Sequence, residues 1–398
     1  MTPSPTPPHL RMVGYRYYPA VGGAENLARR LIQELGDRMT VDIVALATRN
    51  RSDWLRTLID GDRADEERYE VDGRPVRALG AWPPAVRRDL RLLAPFYHVP
   101  SGPAPTLMGR RLAPTLADVA SGADIIHNVF MGREAFSLGL LLAAARARTP
   151  FVFTPLRHAR PFGWSSPAFR ELYRRSDAVI ALTRSEAQWL IEHGARRDTV
   201  SVIGGGPLND PAASAAPARQ LVGDARIVLF LGQLHDYKGF AALLAAAQRL
   251  ADRPDVRFVF AGPDVRGHAR QFAGAGPNVM YLSSVDDDTR NSLLQACAVL
   301  CVPSARESFG LVLLEAWTCG KPVIGGPAEA TRELIDDGVD GWSCPQDPAI
   351  LARRLSQLLD DPALAQQMGL RGKRKVEERF SWQAIANAHL ALYSRLLK

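Results

Sequence analysis

Residues 302–326 read V-P-S-A-R-E-S-F-G-L-V-L-L-E-A-W-T-C-G-K-P-V-I-G-G. The run A-V-L-C-V-P that leads into this stretch predicts a buried strand, which Pro303 ends. Gly310 opens a turn into an apolar helix over residues 311–319, and Gly320 is suited to terminate it. Pro-Val-Ile-Gly-Gly then resumes a buried strand. Two carboxylates, Glu307 and Glu315, stand with seven residues between them. Glu307 falls on the loop at the carboxyl end of a parallel strand, and the N–H groups of the helix start point at the same space. Open α/β sheets bind ligands at this place, and the helix end suits an anionic one.

Outward from this stretch, the whole chain alternates strands and helices. Strands are expected at residues 9–15, 41–47, 124–127, 151–154, 177–182 and 200–203, with one more around Val76. A second series follows at residues 227–231, 256–261, 279–282, 298–302 and 323–324. Helices fall between them, one opened by Gly22-Gly23-Ala24-Glu25 and another over residues 132–148. Such alternation implies parallel, doubly wound sheets. The stretch G-G-G-P-L-N-D-P-A-A-S-A-A-P from Gly204 is the clearest linker. The expected organisation is a first domain over 1–205, with a disordered Pro-rich tail at 1–8, and a linker over 206–222. A second domain follows over 223–380, and then a terminal helix over 381–398. Residues 50–115 are the hardest to assign.

The 398 residues are too many for one ordinary core and suit two domains of about 180 residues each. Apolar runs such as 138–145 and 240–247 fall well short of the roughly 18 residues that cross a bilayer. The N-terminus lacks a secretory core. Four cysteines, Cys297, Cys301, Cys319 and Cys344, lie in or beside predicted core elements without metal-ligand spacing, as expected of buried reduced thiols. Residues 1–205 carry 28 Arg against 21 Asp and Glu, 28 − 21 = +7, while the remainder balances at 21 − 21 = 0. Arg87, Arg88, Arg91, Arg110 and Arg111 cluster around the apolar L-L-A-P-F-Y, which fits an acidic acceptor or an anionic membrane surface. No motif supports nucleic-acid binding.

The Glu307–Glu315 run resembles the E-x7-E motif of retaining glycosyltransferases of the GT-B fold, family 4 type, the glycosyl transferases group 1. The resemblance implies two Rossmann-like domains facing across a cleft, with a last helix crossing back to the first. It implies that Glu307 and the amides of Phe309, Gly310 and Leu311 hold a donor sugar, and that Glu315 holds the nucleotide's ribose. A carboxylate is a strong paired acceptor for vicinal hydroxyls. The loop G-Q-L-H-D-Y-K-G after the strand at 227–231 is similar to the family's G-R-L-x-x-x-K-G. Lys238 there matches the lysine that neutralises the donor diphosphate, while Gln233 stands where the family has Arg. Gly22 and Gly23 resemble the facing G-G-x-E segment. His158, in T-P-L-R-H, matches a family histidine near the anomeric carbon. His127 and Asn128 are candidates for acceptor contact.

Asp286-Asp287-Asp288 invites a metal reading, but the run S-S-V-D-D-D-T-R fits helix capping with acids in the first turn, and no metal is expected. The implied function is metal-independent transfer of a sugar from a nucleotide diphosphate to a hydroxyl acceptor, with the nucleotide sugar as substrate and no separate cofactor. The expected location is the cytoplasm, with peripheral contact to the membrane's inner face. A non-catalytic nucleotide-sugar-binding partner subunit and a sugar-nucleotide epimerase of the same fold remain as alternatives.

Overall fold

The structure is a computed structural model that describes residues 7–20, 22–49, 53–130, 132–158 and 163–398. Residues 1–6 of the expected disordered tail lie outside the described residues. The chain divides into two compact units, Met1–Gly204 with Ile385–Lys398, and Gly205–Ala384.

The first unit is built on eight strands: β1 His9–Arg16, β2 Thr40–Ala47, β3 Glu67–Val71, β4 Arg74–Ala78, β5 Ile125–Val129, β6 Phe151–Thr154, β7 Ala178–Ala181 and β8 Val200–Val202. They lie in the order β3-β4-β2-β1-β5-β6-β7-β8. All neighbours are parallel except β3, which runs antiparallel to β4. That hairpin was not expected from sequence. Its turn is Asp72-Gly73, with φ of 52° and 70°, the left-handed pair that a two-residue hairpin needs. The central strands are buried on both faces, and this is why they read as continuous apolar runs.

The described residues of 50–115, the hardest to assign, contain three α-helices besides the hairpin: Trp54–Asp60, Pro84–Leu93 and Ala104–Leu112. The last packs against helix Glu134–Ala147, which is buried along most of its length. A helix apolar on all sides must lie inside, and Ala104–Leu112 supplies part of its cover.

The second unit has six strands: β9 Arg226–Leu231, β10 Val256–Ala261, β11 Val279–Leu282, β12 Cys297–Val302, β13 Val323–Gly325 and β14 Gly341–Ser343. The order is β11-β10-β9-β12-β13-β14, and every pair is parallel. The direction of winding reverses between β9 and β12, so the loops that leave these two strands meet at a topological switch point. Residues 216–222, expected within the linker, form helix Ala216–Val222 instead. Pro217 sits in its first turn, where a missing N–H costs nothing. Buried Ala218 donates its N–H to Ser292 Oγ at 2.8 Å and ties this helix to Asp287–Ala296. Among the described residues no helix is long and apolar enough to cross a membrane.

Candidate functional site

The loop after β9 is shaped first by its backbone. Gly232 N–H bonds Ala261 O at 2.9 Å and Leu234 N–H bonds Pro263 O at 3.0 Å, so the chain continues beside β10 before it turns. A single 3₁₀ turn, Asp236–Lys238, then delivers Lys238, and helix Phe240–Arg249 follows. Gly239 joins turn to helix with φ of 76°. A Cβ there would meet Pro303 O at 2.5 Å, so both the conformation and the space require glycine.

Pro303 belongs to the loop after β12, and bonds to one carbonyl hold the two loops together. Tyr237 O accepts from Ala305 N at 2.7 Å and from Gln346 Nε2 at 2.9 Å, while Ser304 Oγ donates within its own loop to Arg306 O at 2.9 Å. Gln346 also donates to Pro303 O at 2.8 Å. Lys238 Nζ donates to Glu307 Oε1 at 2.6 Å, with side chains only 20% and 11% exposed. A short charge-assisted contact in a half-buried setting orients both groups.

Beyond Glu307 the chain dives inward. Phe309 is buried edge-to-face against Phe380, with ring centroids 5.7 Å apart. Gly310, at φ 105°, starts helix Leu311–Thr318, whose first N–H groups have no partner within the helix. Phe309 thus anchors the loop through its ring and leaves its backbone for other contacts. Gln233 is exposed on the loop after β9.

Glu315 lies on the same helix, only 1% exposed, and its carboxylate ion-pairs with the Arg290 guanidinium. Its carbonyl accepts from Thr318 Oγ1 at 2.7 Å and from Asn209 Nδ2 at 3.3 Å. Arg290 was not foreseen, because nothing in sequence spacing couples it to Glu315. It extends from helix Asp287–Ala296, which Asp286 caps by accepting from Thr289 N at 2.8 Å, while Asp287 and Asp288 fill the first turn. The acidic triplet therefore serves the helix end, and the Thr289 hydroxyl, with the Thr289 N–H second, holds the Asp286 carboxyl below its usual range. The four cysteines are free thiols, and burial raises each, Cys297 to about 12.

In the first unit the loop after β1 leads to helix Gly23–Leu35. Glu25 is buried and accepts from Arg16 Nε at 2.6 Å. A Cβ on Gly22 would meet Glu25 Oε2 at 2.5 Å, whereas one on Gly23 would meet no protein atom within 4 Å. A side chain at 22 would therefore displace only the tips of Glu25 and Arg16, and one at 23 would meet no protein atom, so any demand for glycine at these positions comes from elsewhere.

His158 is half-buried on the loop after β6. That loop is fixed by buried Glu186, whose carboxylate accepts from Arg157 N and Leu182 N, each at 2.8 Å. Arg157 also stacks its guanidinium 4.1 Å above the Trp189 ring. His127 and Asn128, offered by sequence for acceptor contact, lie in β5 inside the unit, each 1% exposed. Both His127 nitrogens are engaged, Nδ1 with Tyr393 Oη and Nε2 with Thr154 Oγ1, each at 2.7 Å. Burial holds its pKa well below the usual histidine value. Asn128 Nδ2 donates to Val13 O at 2.9 Å.

Comparison with known proteins agrees with this architecture. The model of the glycosyl transferase 4-like domain matches residues 22–206, and that of glycosyl transferases group 1 matches residues 215–375. A D-inositol 3-phosphate glycosyltransferase of Streptomyces scabiei is 30% identical over 385 residues, 83% of this chain and 83% of that protein. The corresponding protein of Streptomyces avermitilis is 33% identical over 250 residues, 57% of this chain, and the match spans about half of its own length, 54%. Among solved structures, Anabaena Alr3699/HepE in complex with UDP and glucose superposes with a TM-score of 0.74 at 21% identity. That superposition covers 97% of this chain and 99% of the other.

Proposed function

The chain belongs to the glycosyl transferases of group 1 and has their GT-B fold, and on that premise we propose that it transfers a sugar, with retention, from a nucleotide diphosphate to a hydroxyl acceptor. The observation that carries the reading is the 2.6 Å contact of Lys238 with Glu307 at the β9/β12 switch point. A cation and a carboxylate held side by side match the two halves of a donor, a diphosphate and a polyol.

In this reading Glu307 and the amides of Phe309, Gly310 and Leu311 hold the sugar hydroxyls, and Glu315 holds the ribose. Lys238 and Gln233 stabilise the departing diphosphate. Gly22, Gly23 and His158 of the first unit are assigned to the donor as well. The bond from the anomeric carbon to the phosphate oxygen breaks while the acceptor oxygen bonds the same carbon from the same face. The acceptor's proton passes to the leaving phosphate. Lys238 and the start of helix Leu311–Thr318 supply the positive field, so the step needs no divalent cation. The complex of Alr3699/HepE with UDP and glucose supports a nucleotide-sugar donor for a protein of this fold.

The acceptor is assigned to the first unit and supplies a hydroxyl; a polysaccharide, a lipid-linked sugar and a small natural product all qualify. The reading includes the cytoplasm and the inner face of its membrane. Leu92, Phe96 and Val99 are 67%, 58% and 50% exposed, close in sequence to Arg88 and Arg91, which pair with Asp89 and Asp60; exposed apolar side chains of this kind support contact with a lipid surface.

The test is donor turnover with UDP-, GDP-, ADP- and TDP-sugars in the presence of a chelator. Release of the free nucleotide diphosphate that Glu307→Ala abolishes is the expected result. Rearranged sugar nucleotide formed without acceptor marks an epimerase. Binding without turnover marks a partner subunit, and failure to bind any of the four nucleotides sinks the donor assignment.

A further inference from the structure

Arg290 is the counter-charge that a buried Glu315 demands. A carboxylate at 1% exposure is costly unless paired, and the Arg290 guanidinium is the cation recorded against it. The pair is launched from two rigid supports. Glu315 stands on helix Leu311–Thr318, where its own carbonyl is bound by Thr318 and Asn209. Arg290 stands in the capped first turn of Asp287–Ala296, with its side chain 22% exposed. Its fork has one arm on Glu315 and another facing Asn291 Oδ1 at a loose 3.5 Å, so donors remain for a further oxygen. Lys would offer a point charge here and lose the fork.

We infer that Arg290 is a positioning residue for the nucleotide's ribose: it holds the Glu315 carboxylate in one orientation, so that the carboxylate meets two vicinal hydroxyls together. This rests on the reading that Glu315 holds the ribose. Discrimination between a ribonucleotide and its 2′-deoxy form then depends on Arg290 as much as on Glu315.

The test is calorimetry with UDP, GDP and ADP, taking the one that binds and comparing it with dUDP, dGDP or dADP. Glu315→Gln, Arg290→Met, Arg290→Lys and the Glu315→Gln/Arg290→Met double variant are measured alongside the parent protein, with thermal melts to establish folding. Arg290→Met should weaken ribonucleotide binding about tenfold, ~1.4 kcal/mol, and bring the ribo and deoxy affinities together. Arg290→Lys should recover part of both, and it carries the test if the Met variant does not fold. The double variant should bind no worse than Glu315→Gln alone, because the two residues act as one unit. Parental affinity and discrimination in Arg290→Met, or losses that add in the double variant, overturn the inference while leaving Glu315 in place. Parental discrimination in Glu315→Gln instead overturns the ribose reading itself.

Discussion

Acid should loosen the first unit through His389, and the magnitude follows from its surroundings. The residue lies on helix Trp382–Leu396, 6% exposed, with Nδ1 bonded to Ile385 O at 2.9 Å. Its ring is 5.9 Å from that of His127 and 6.0 Å from that of Tyr393. Burial lowers its pKa from 6.5 to about 4, and the bond to Ile385 offsets only part of this. In the unfolded chain the ring titrates near 6.5. Between those values the unfolded chain binds a proton that the folded chain refuses, so stability falls as pH falls. At 1.36 kcal/mol per pH unit below 6.5, the cost at pH 5 is about 2 kcal/mol, rising to about 3 kcal/mol near pH 4. His127, pushed down by the same burial, adds in the same direction. Urea denaturation of the parent and of His389→Leu at pH 7 and pH 5 reads the effect. The parent should lose about 2 kcal/mol more than the variant on acidification. Equal losses in both proteins would refute the argument that this ring resists protonation.

Three further outcomes are expected. Lys238→Met should lower turnover about 10²- to 10³-fold in steady-state assays of nucleotide release, the usual effect of removing one electrostatic stabiliser of a leaving group; unchanged turnover would remove it from the mechanism. Gly239→Ala should destabilise the second unit by about 2 kcal/mol or more, from a left-handed backbone and a Cβ forced against Pro303 O, and a melting curve like the parent's would contradict that geometry. Leu92→Glu with Phe96→Glu should weaken sedimentation with anionic vesicles by about tenfold or more, since each buried apolar side chain contributes about 1.5–3 kcal/mol; undiminished binding would move the contact elsewhere on the chain.

The doubly wound fold was legible because its central strands are buried on both faces and stand out as short apolar runs between helices. β3 was not, since E-R-Y-E-V is largely solvent-facing and only Asp72-Gly73 hinted at a hairpin. β14 has three residues, Gly341–Ser343, too few to carry a period. The loop positions of Lys238 and Glu307 were readable because each follows such a strand, and a strand's end is where a parallel sheet places its loops. The partners of the buried charges were not. Arg290 and Glu315 meet only once their helices pack, and Lys375 reaches Asp336, at 2.7 Å in the loop after helix Glu329–Leu334, only once its helix covers that loop; no spacing along the chain records either. His127 misled for the same reason: a polar residue at a strand end looks solvent-facing until a helix from the far end of the sequence covers it with Tyr393.

The Tyr237 carbonyl, which takes one donor from the loop after β12 and one from Gln346, limits how this protein can be re-engineered. Loops are commonly swapped one at a time to change what an enzyme accepts. Here a graft of residues 232–239 alone would carry the carbonyl away from the donors that fit it, and a graft of 303–310 alone would bring a donor with no matching acceptor. The two loops and Gln346 form one cassette, so a change of donor preference has to be transplanted whole or built by point changes that leave Tyr237 where it is.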